Sequence, residues 1–489
     1  MRGIKDYLQQ QDGLQSLITG IEGALQEQLI AGLSGSARSF ITATIYEATK
    51  KPILLVTHQL IHAERLYDDL IELVGEEQVH LYPANELLLS EMAISSPELR
   101  NERITSLTNW LHDKTGIMIV PIAGLKRILP PPSYWENSAL FFEAGKDLDL
   151  HDVLSSFVRM GYERTEMVTT PGEFSQRGGI IDIYPVTEEH PVRIDLFDTE
   201  IDSIRYFDVE NQRSLQMIDH IQIGPATEYI VDDGDRIRAA DKMEKALAKA
   251  LSKMTSAKDK EQLLNNMKPQ IESLKEGESI EQLYKYIYYL YDNPASLIDY
   301  LPKDGIVILD DLNRIQESAT HLDEEESEHV TSLLETKELI PEGELSFDWG
   351  DIWVKLAKRQ RVYFALFLRH IPNTQPQNVI NMSSRAMQEF HGQMNLFKGE
   401  MERWKKSNFS VVIFTPNESR AKRVQQILHD YKIEAVVKEE IDFSTNIPTI
   451  VVGNIHQGIE FPLFNLAILT ENELFRKQVE RRVRKQRFT

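Results

Sequence analysis

Hydrophobic and polar positions along the first 135 residues alternate in a βα manner. Short apolar runs, "EQLIAGL", "PILLVTH", "QVHLYPA" and "GIMIVPI", read as strands. Between them "SARSFITATIYEATKK", "LIHAERLYDDLIELVG" and "SPELRNERITSLTNWLHD" carry apolar residues at helical spacing. Buried strands separated by amphipathic helices predict a parallel sheet covered on both faces. "LPPPSYW" then breaks the pattern.

From about 139 to 225 the period changes to short alternating strands with turn residues, as in "GGIIDIYPVTEEHPVRIDLFD", which predicts an α+β module. Residues 236–292 return to Lys/Glu-rich helices. "GIVILDD" supplies one more buried strand ending in two carboxylates. The simplest organisation is one α/β domain, 1–138 and 226–338, interrupted by a module at 139–225. The acidic run "DEEESE" (323–328) reads as a solvated helix face or loop. Beyond 339, "RVYFALFL", "SVVIFTP", "EAVVKEE", "TIVVGNI" and "NLAILTE" predict a second α/β domain to 475. Residues 476–489 form a strongly basic linker or tail.

Composition narrows the chemistry. The net charge of −22, from 76 acidic against 54 basic residues, repels phosphate backbones and argues against nucleic acid as the main partner. There is no cysteine, which excludes disulfides, thiolate metal sites and cysteine nucleophiles. No apolar run approaches the ~18 residues of a membrane span, and the N-terminus lacks a signal-peptide core, so a cytoplasmic location is expected.

Two stretches carry candidate chemistry of a nucleotide site. In "AGLSGSARSF", Gly32, Ala37, Arg38 and Ser39 fall on the four defining positions of the G-x-x-x-x-G-K-[ST] phosphate loop. Ala37 puts a Cβ where the backbone must approach phosphate, and Arg38 replaces a slim ammonium with a planar fork. Ser39 alone is intact, and Gly32 and Gly35 are left to shape a strand-to-helix turn. Asp310 and Asp311 stand at the end of a buried strand, where a magnesium-binding pair would stand. With the loop altered, the preferred reading is a strand-end pair facing solvent or capping the next helix. No cofactor and no metal are expected, and ATP hydrolysis is not.

"HPVRIDLFD" gives a positive signal. Strand alternation sends Ile194 and Leu196 inward and Arg193, Asp195 and Phe197 outward. Phe197 on a polar face has no folding reason unless a neighbouring element covers it; aromatic and Arg residues are the types enriched at interface anchors. Arg177, just before a Gly-Gly turn, is placed to join the same patch.

The stretch "PGEFSQRGGIIDIYPVTEEHPVRIDLFDTEIDSIRYFDVENQRSL" (171–215) resembles the UvrA-binding domain shared by the excision-repair protein UvrB and the bacterial transcription-repair coupling factors. The altered phosphate loop and the lead-in "LYPANELLLSEMAISSPELRNERI" resemble the second family, whose N-terminal region is similar to UvrB with decayed ATPase motifs. The aromatic hairpin with which UvrB probes DNA has no counterpart. "GIEFP" (458–462) is faintly similar to a helicase "GLDIP" motif. The resemblance implies a degenerate helicase-like (RecA-like) domain in two parts, 1a (1–138) and 1b (226–338), an inserted UvrA-binding domain 2 (139–225), and a third α/β domain (339–475) of unassigned role. It implies a non-catalytic adaptor that recruits UvrA to stalled RNA polymerase in transcription-coupled repair, with Arg177, Arg193 and Phe197 at positions the family uses to bind UvrA. RNA polymerase and DNA would be engaged through C-terminal domains beyond the basic linker, where the family also carries its ATP-dependent translocase. An ATP-dependent helicase or UvrB-type damage-recognition subunit is the alternative, and a purely structural, inhibitory module is a third reading.

Overall fold

The structure is a computed structural model that describes residues 2–85, 96–278, 280, 282–441, 443 and 445–475. The basic stretch 476–489 lies outside the described residues, as does part of the "LYPANELLLSEMAISS" segment.

Seven strands form an all-parallel sheet in the order Asn378–Asn381, Glu27–Ala31, Gln360–Phe364, Ile306–Asp310, Ile53–Thr57, Ile117–Pro121 and Val79–Leu81. Alternate residues of each central strand feed different cores. Leu54, Val56, Met118, Val120, Val307 and Leu309 pack on one face. Ile53, Leu55, Ile117, Ile119, Ile306 and Ile308 pack on the other. Side-chain alternation therefore makes these strands read as continuous apolar runs, since neither face meets water.

One boundary differs from the expectation. The strand Gln360–Phe364, assigned from sequence to the third unit, sits in the first sheet between Glu27–Ala31 and Ile306–Asp310. Asn378–Asn381 extends the same sheet. The intervening chain hid this link: the 24-residue helix Leu312–Glu335, a loop and the Asp348-capped helix Trp349–Ala357 separate two neighbouring strands. The acidic run lies on that long helix and is not purely solvated. Asp323 forms an ion pair with Lys126 and accepts from the Trp349 amide at 3.0 Å, and Glu326 accepts from the Ser346 amide at 2.9 Å.

The module that interrupts this domain is built on a six-stranded sheet running from Ser214–Ile218 through Glu200–Phe207, Val192–Phe197, Ile180–Ile183 and Glu173–Arg177 to Glu163–Arg164. Its pairings are antiparallel except the last. The chain then returns through the helical hairpin Asp233–Lys253 and Ala257–Glu276, opened by an Asp232/Asp235 capping box and closed by Gly277 in the left-handed region at φ +74°.

The last sheet is mixed, ordered Arg385–Ala386, Ile459–Phe461, Leu466–Thr470, Ser410–Thr415, Thr449–Val452 and Val436–Val437. Val412, Phe414, Val451 and Ile468 from this sheet share a core with Ile30, Phe40 and Ile41 of the first domain. The two α/β units are thus packed through one continuous apolar layer. Among the described residues no helix is long and apolar enough to cross a membrane, and no cluster of His, Asp and Glu could hold a metal ion.

Candidate functional site

The inserted sheet places its chemistry through two tight turns. Gly178, at φ +60°, joins Glu173–Arg177 to Ile180–Ile183 in a two-residue connection, and a Cβ on the following Gly179 would lie 2.9 Å from the Leu196 carbonyl oxygen. Asp198, at φ +59°, turns the chain between Phe197 and Glu200, a conformation that Asp tolerates through its short polar side chain.

The register then fixes which residues share a face. Asp182 stands opposite Arg193, Ile180 opposite Asp195, Arg193 opposite Arg205, and Phe197 opposite Glu200. The other face carries Ile181, Ile183, Ile194, Ile201 and Ile204, packed with Phe157 and Phe174. Leu196 points the same way but is only half-buried at the margin of this core.

On the outward face Phe197 is 78% exposed, and among the described residues no element covers it. Arg193 is engaged internally. Its Nε and Nη2 donate to the two Asp182 carboxylate oxygens at 2.7 and 2.8 Å, Nη2 also donates to Gln212 Oε1 at 3.0 Å, and the guanidinium lies 4.4 Å from the Phe207 ring centre. Arg177 is more exposed and reaches the same carboxylate, Nη2 to Asp182 Oδ2 at 3.2 Å. Asp182 therefore joins the two arginines. Phe197 stands four residues along the strand from Arg193, ~13 Å at strand rise. Ile180 and Met217 are further exposed apolar residues on this face. Sequence reading passed over Asp182, Ile180 and Met217. The phase of "GGIIDIY" carried a signal, because with Ile181 and Ile183 inward, Ile180 and Asp182 must face outward.

The nucleotide-like edge looks different. Gly32 and Gly35 adopt φ +73° and +50°, and the helix Ala37–Thr49 starts after Ser36, as a phosphate loop would. Segments from the far end of the chain lie against it. The Ser34 amide donates to Ser384 Oγ at 2.9 Å, and the Ser384 amide donates to the Gly32 carbonyl at 2.8 Å. The Gln457 amide donates to Ser36 Oγ at 3.1 Å, while a Cβ on Gly35 would meet Gln457 Oε1 at 2.6 Å. Ser39 Oγ donates to buried Asp69 at 2.9 Å, whose other oxygen accepts from the His456 amide at 2.7 Å. Burial pushes Asp69 up to about 6 despite these donors.

Arg38 Nε lies 2.5 Å from Asp310 Oδ1, an ion pair without good hydrogen-bond alignment. Asp310 is buried, not solvent-facing, and burial raises its pKa against the pull of Arg38. Asp311, at φ +62°, precedes the helix Leu312–Glu335 without a side-chain capping bond and lies 3.5 Å from Arg314.

Just after the insert, Glu228 anchors it to the first domain. Tyr82 Oη and Arg103 Nε donate to Oε1 at 2.7 and 2.9 Å, and Arg127 Nη2 donates to Oε2 at 3.3 Å. Burial alone would raise Glu228; the two arginines outweigh it and hold the carboxyl at about 2.

The UvrB interaction domain family matches residues 140–229, which span the inserted sheet and this anchor. The transcription-repair-coupling factor of Bacillus subtilis (strain 168) is 44% identical over 490 residues, covering 100% of this chain and 42% of that protein. The transcription-repair-coupling factors of Staphylococcus haemolyticus (strain JCSC1435) and Staphylococcus aureus (strain MRSA252) are each 34% identical, covering 98% and 93% of this chain. The chain spans about two-fifths of the length of these relatives, 42%, 41% and 39% in turn. With identity along its whole length and the UvrB interaction domain at its insert, the chain is homologous to the N-terminal portion of the transcription-repair-coupling factors.

Proposed function

We propose that this chain is a non-catalytic adaptor that binds UvrA through the outward face of its inserted sheet. As part of a longer coupling factor it would deliver UvrA to RNA polymerase stalled on DNA, both engaged by domains outside this chain. The observation that carries the reading is Phe197, 78% exposed on a face shared with Arg177 and Arg193, inside the region that matches the UvrB interaction domain. An exposed ring beside arginines suits an interface anchor, because the ring supplies area to desolvate and a guanidinium fixes a partner carboxylate. Arg177 is the better placed cation; Arg193 acts mainly by holding Asp182 and the face.

The rival reading, an ATP-dependent helicase or UvrB-type subunit, finds less support. At the phosphate loop Arg38 and Asp310 neutralise one another as an ion pair, and residues 381–384 and 455–457 occupy the turn. The adaptor works without nucleotide, and no cofactor is assigned to this region.

The test is equilibrium binding of purified UvrA to the chain and to Phe197→Ala. Truncating an anchor of this kind costs ~2 kcal/mol, roughly thirtyfold in affinity. The melting temperature should not move, since a solvent-facing side chain leaves no cavity. Equal affinity of the two proteins would refute the assignment.

A further inference from the structure

The insert has a second feature beside Phe197. Among the described residues the strand Leu140–Glu143 pairs only with His220–Ile223, and its other edge has no ladder partner. Phe142 and Ile221 turn into the core, and Phe141 turns outward, 61% exposed, its ring 5.7 Å from that of His220. Beside this strand lies a groove of about 320 Å³, between the strand and the first turn of the helix Leu150–Arg159. Leu148, Val153 and Ile201 give it an apolar lining.

Its rim is acidic. Among the described residues that line it, Glu143, Asp147, Asp149 and Asp152 are acidic and Lys146 is the one cation. Asp149 caps the helix and Asp147 accepts from Thr199 Oγ, but among the described residues nothing bonds the carboxylates of Glu143 and Asp152. Two unneutralised carboxylates over an apolar groove favour a cationic occupant and repel an acidic one.

The groove adjoins the edge of the sheet that carries Phe197, although its apolar lining of Leu148, Val153 and Ile201 belongs to the opposite, core-facing side. The Gly145 amide donates to the Ile201 carbonyl at 2.7 Å, the Ile201 amide to Lys146 at 2.9 Å, and the Leu148 amide to Thr199 at 2.8 Å. Asp147 bridges to Glu200, which itself pairs with Phe197. Phe197, Glu200 and Asp147 thus form one lateral row about 10 Å long at ordinary strand spacing.

We infer that the groove beside Phe141 is a second docking subsite for UvrA, taking an extended basic and apolar segment of that partner while Phe197 and Arg177 engage another. The inference rests on the UvrA reading of the Phe197 face. Opposite charge preferences at the two ends fix the direction in which the partner lies across the insert.

The experiment measures UvrA affinity for wild type, Phe197→Ala, Phe141→Ser and the double variant Glu143→Lys/Asp152→Lys, with melting temperatures for each. Phe141→Ser should weaken binding at least tenfold, and the charge reversal should do the same with a smaller loss as salt rises, while all four proteins melt together. Wild-type affinity in Phe141→Ser, with Phe197→Ala impaired, overturns the subsite and leaves the UvrA reading intact. Wild-type affinity in the charge-reversed protein overturns the basic occupant. Absence of binding by wild type removes the UvrA reading and the subsite with it.

Discussion

The phosphate-loop edge and the outer face of the insert carry similar residue types, arginines, aspartates and a glycine turn, yet they differ in what satisfies them. At the loop, the partners come from within the chain: Arg38 has Asp310, Ser39 has Asp69, and the turn is met by residues 381–384 and 455–457. On the insert, Asp182 and Asp195 hold the arginines, but Phe197 and Met217 are largely exposed and Ile180 partly so. A polar constellation closed on itself is architecture, and apolar side chains left exposed on a strand face ask for a partner. Chemistry retained in the sequence is therefore a weaker guide than chemistry left unsatisfied in the fold.

The largest effects should separate the two faces of one strand. Ile194→Ala, at a fully buried position, should cost ~2–5 kcal/mol and melt the insert early, while its neighbour three residues on, Phe197→Ala, should leave melting unchanged. Differential scanning calorimetry of the two variants reads this directly. Arg193→Ala should fall with Ile194 rather than with Phe197. Removing it strips two of the three guanidinium bonds from Asp182, a carboxylate only 2% exposed, at a cost of roughly 2–4 kcal/mol. Of the three candidate residues, only Arg177 and Phe197 should therefore be thermally silent on truncation.

A smaller effect should appear at the loop with pH. The Asp69 carboxyl has a raised folded value, about 6 against 3.8 unfolded, so folding favours its protonated form. Its contribution is most favourable below the unfolded value and is lost as pH rises through about 6. Relative to Asp69→Asn, wild type should lose on the order of 2 kcal/mol between pH 4 and 6, read by chemical denaturation at each pH. Glu228 has the opposite sign. Its stabilisation is present above its ordinary value of 4.5 and is lost as pH falls toward about 2, so Glu228→Gln should flatten the acid limb alone. A parallel pH dependence in wild type and Asp69→Asn would remove the loop side of the comparison.

The smallest expected effect is none. Millimolar Mg²⁺-ATP should not raise the melting temperature of wild type or of Arg38→Lys, because a ligand stabilises only in proportion to its occupancy. Lysine at that position would still face Ala37 and the packed turn. A shift of several degrees in either protein would show that the turn opens to nucleotide.

Much of this was legible in the sequence where the signal is local. Strand alternation alone put Phe197 and Arg193 outward, and the apolar runs gave the sheet strands because both their faces are buried. What escaped was non-local. Gln360–Phe364 joins the first sheet across about fifty residues of helix and loop, and no local pattern states a strand's neighbour. The contacts of the phosphate loop with Ser384 and Gln457 span more than three hundred residues. Asp182 needed the register of three strands before its grip on both arginines could be seen.

The comparison is tested most directly by amide hydrogen exchange of the chain with and without UvrA. Protection should appear over 177–183 and 193–201, with exchange at 31–40 and 453–458 unchanged. Protection confined to the phosphate loop and its packed partners, with the insert exchanging as in the free chain, would contradict the account.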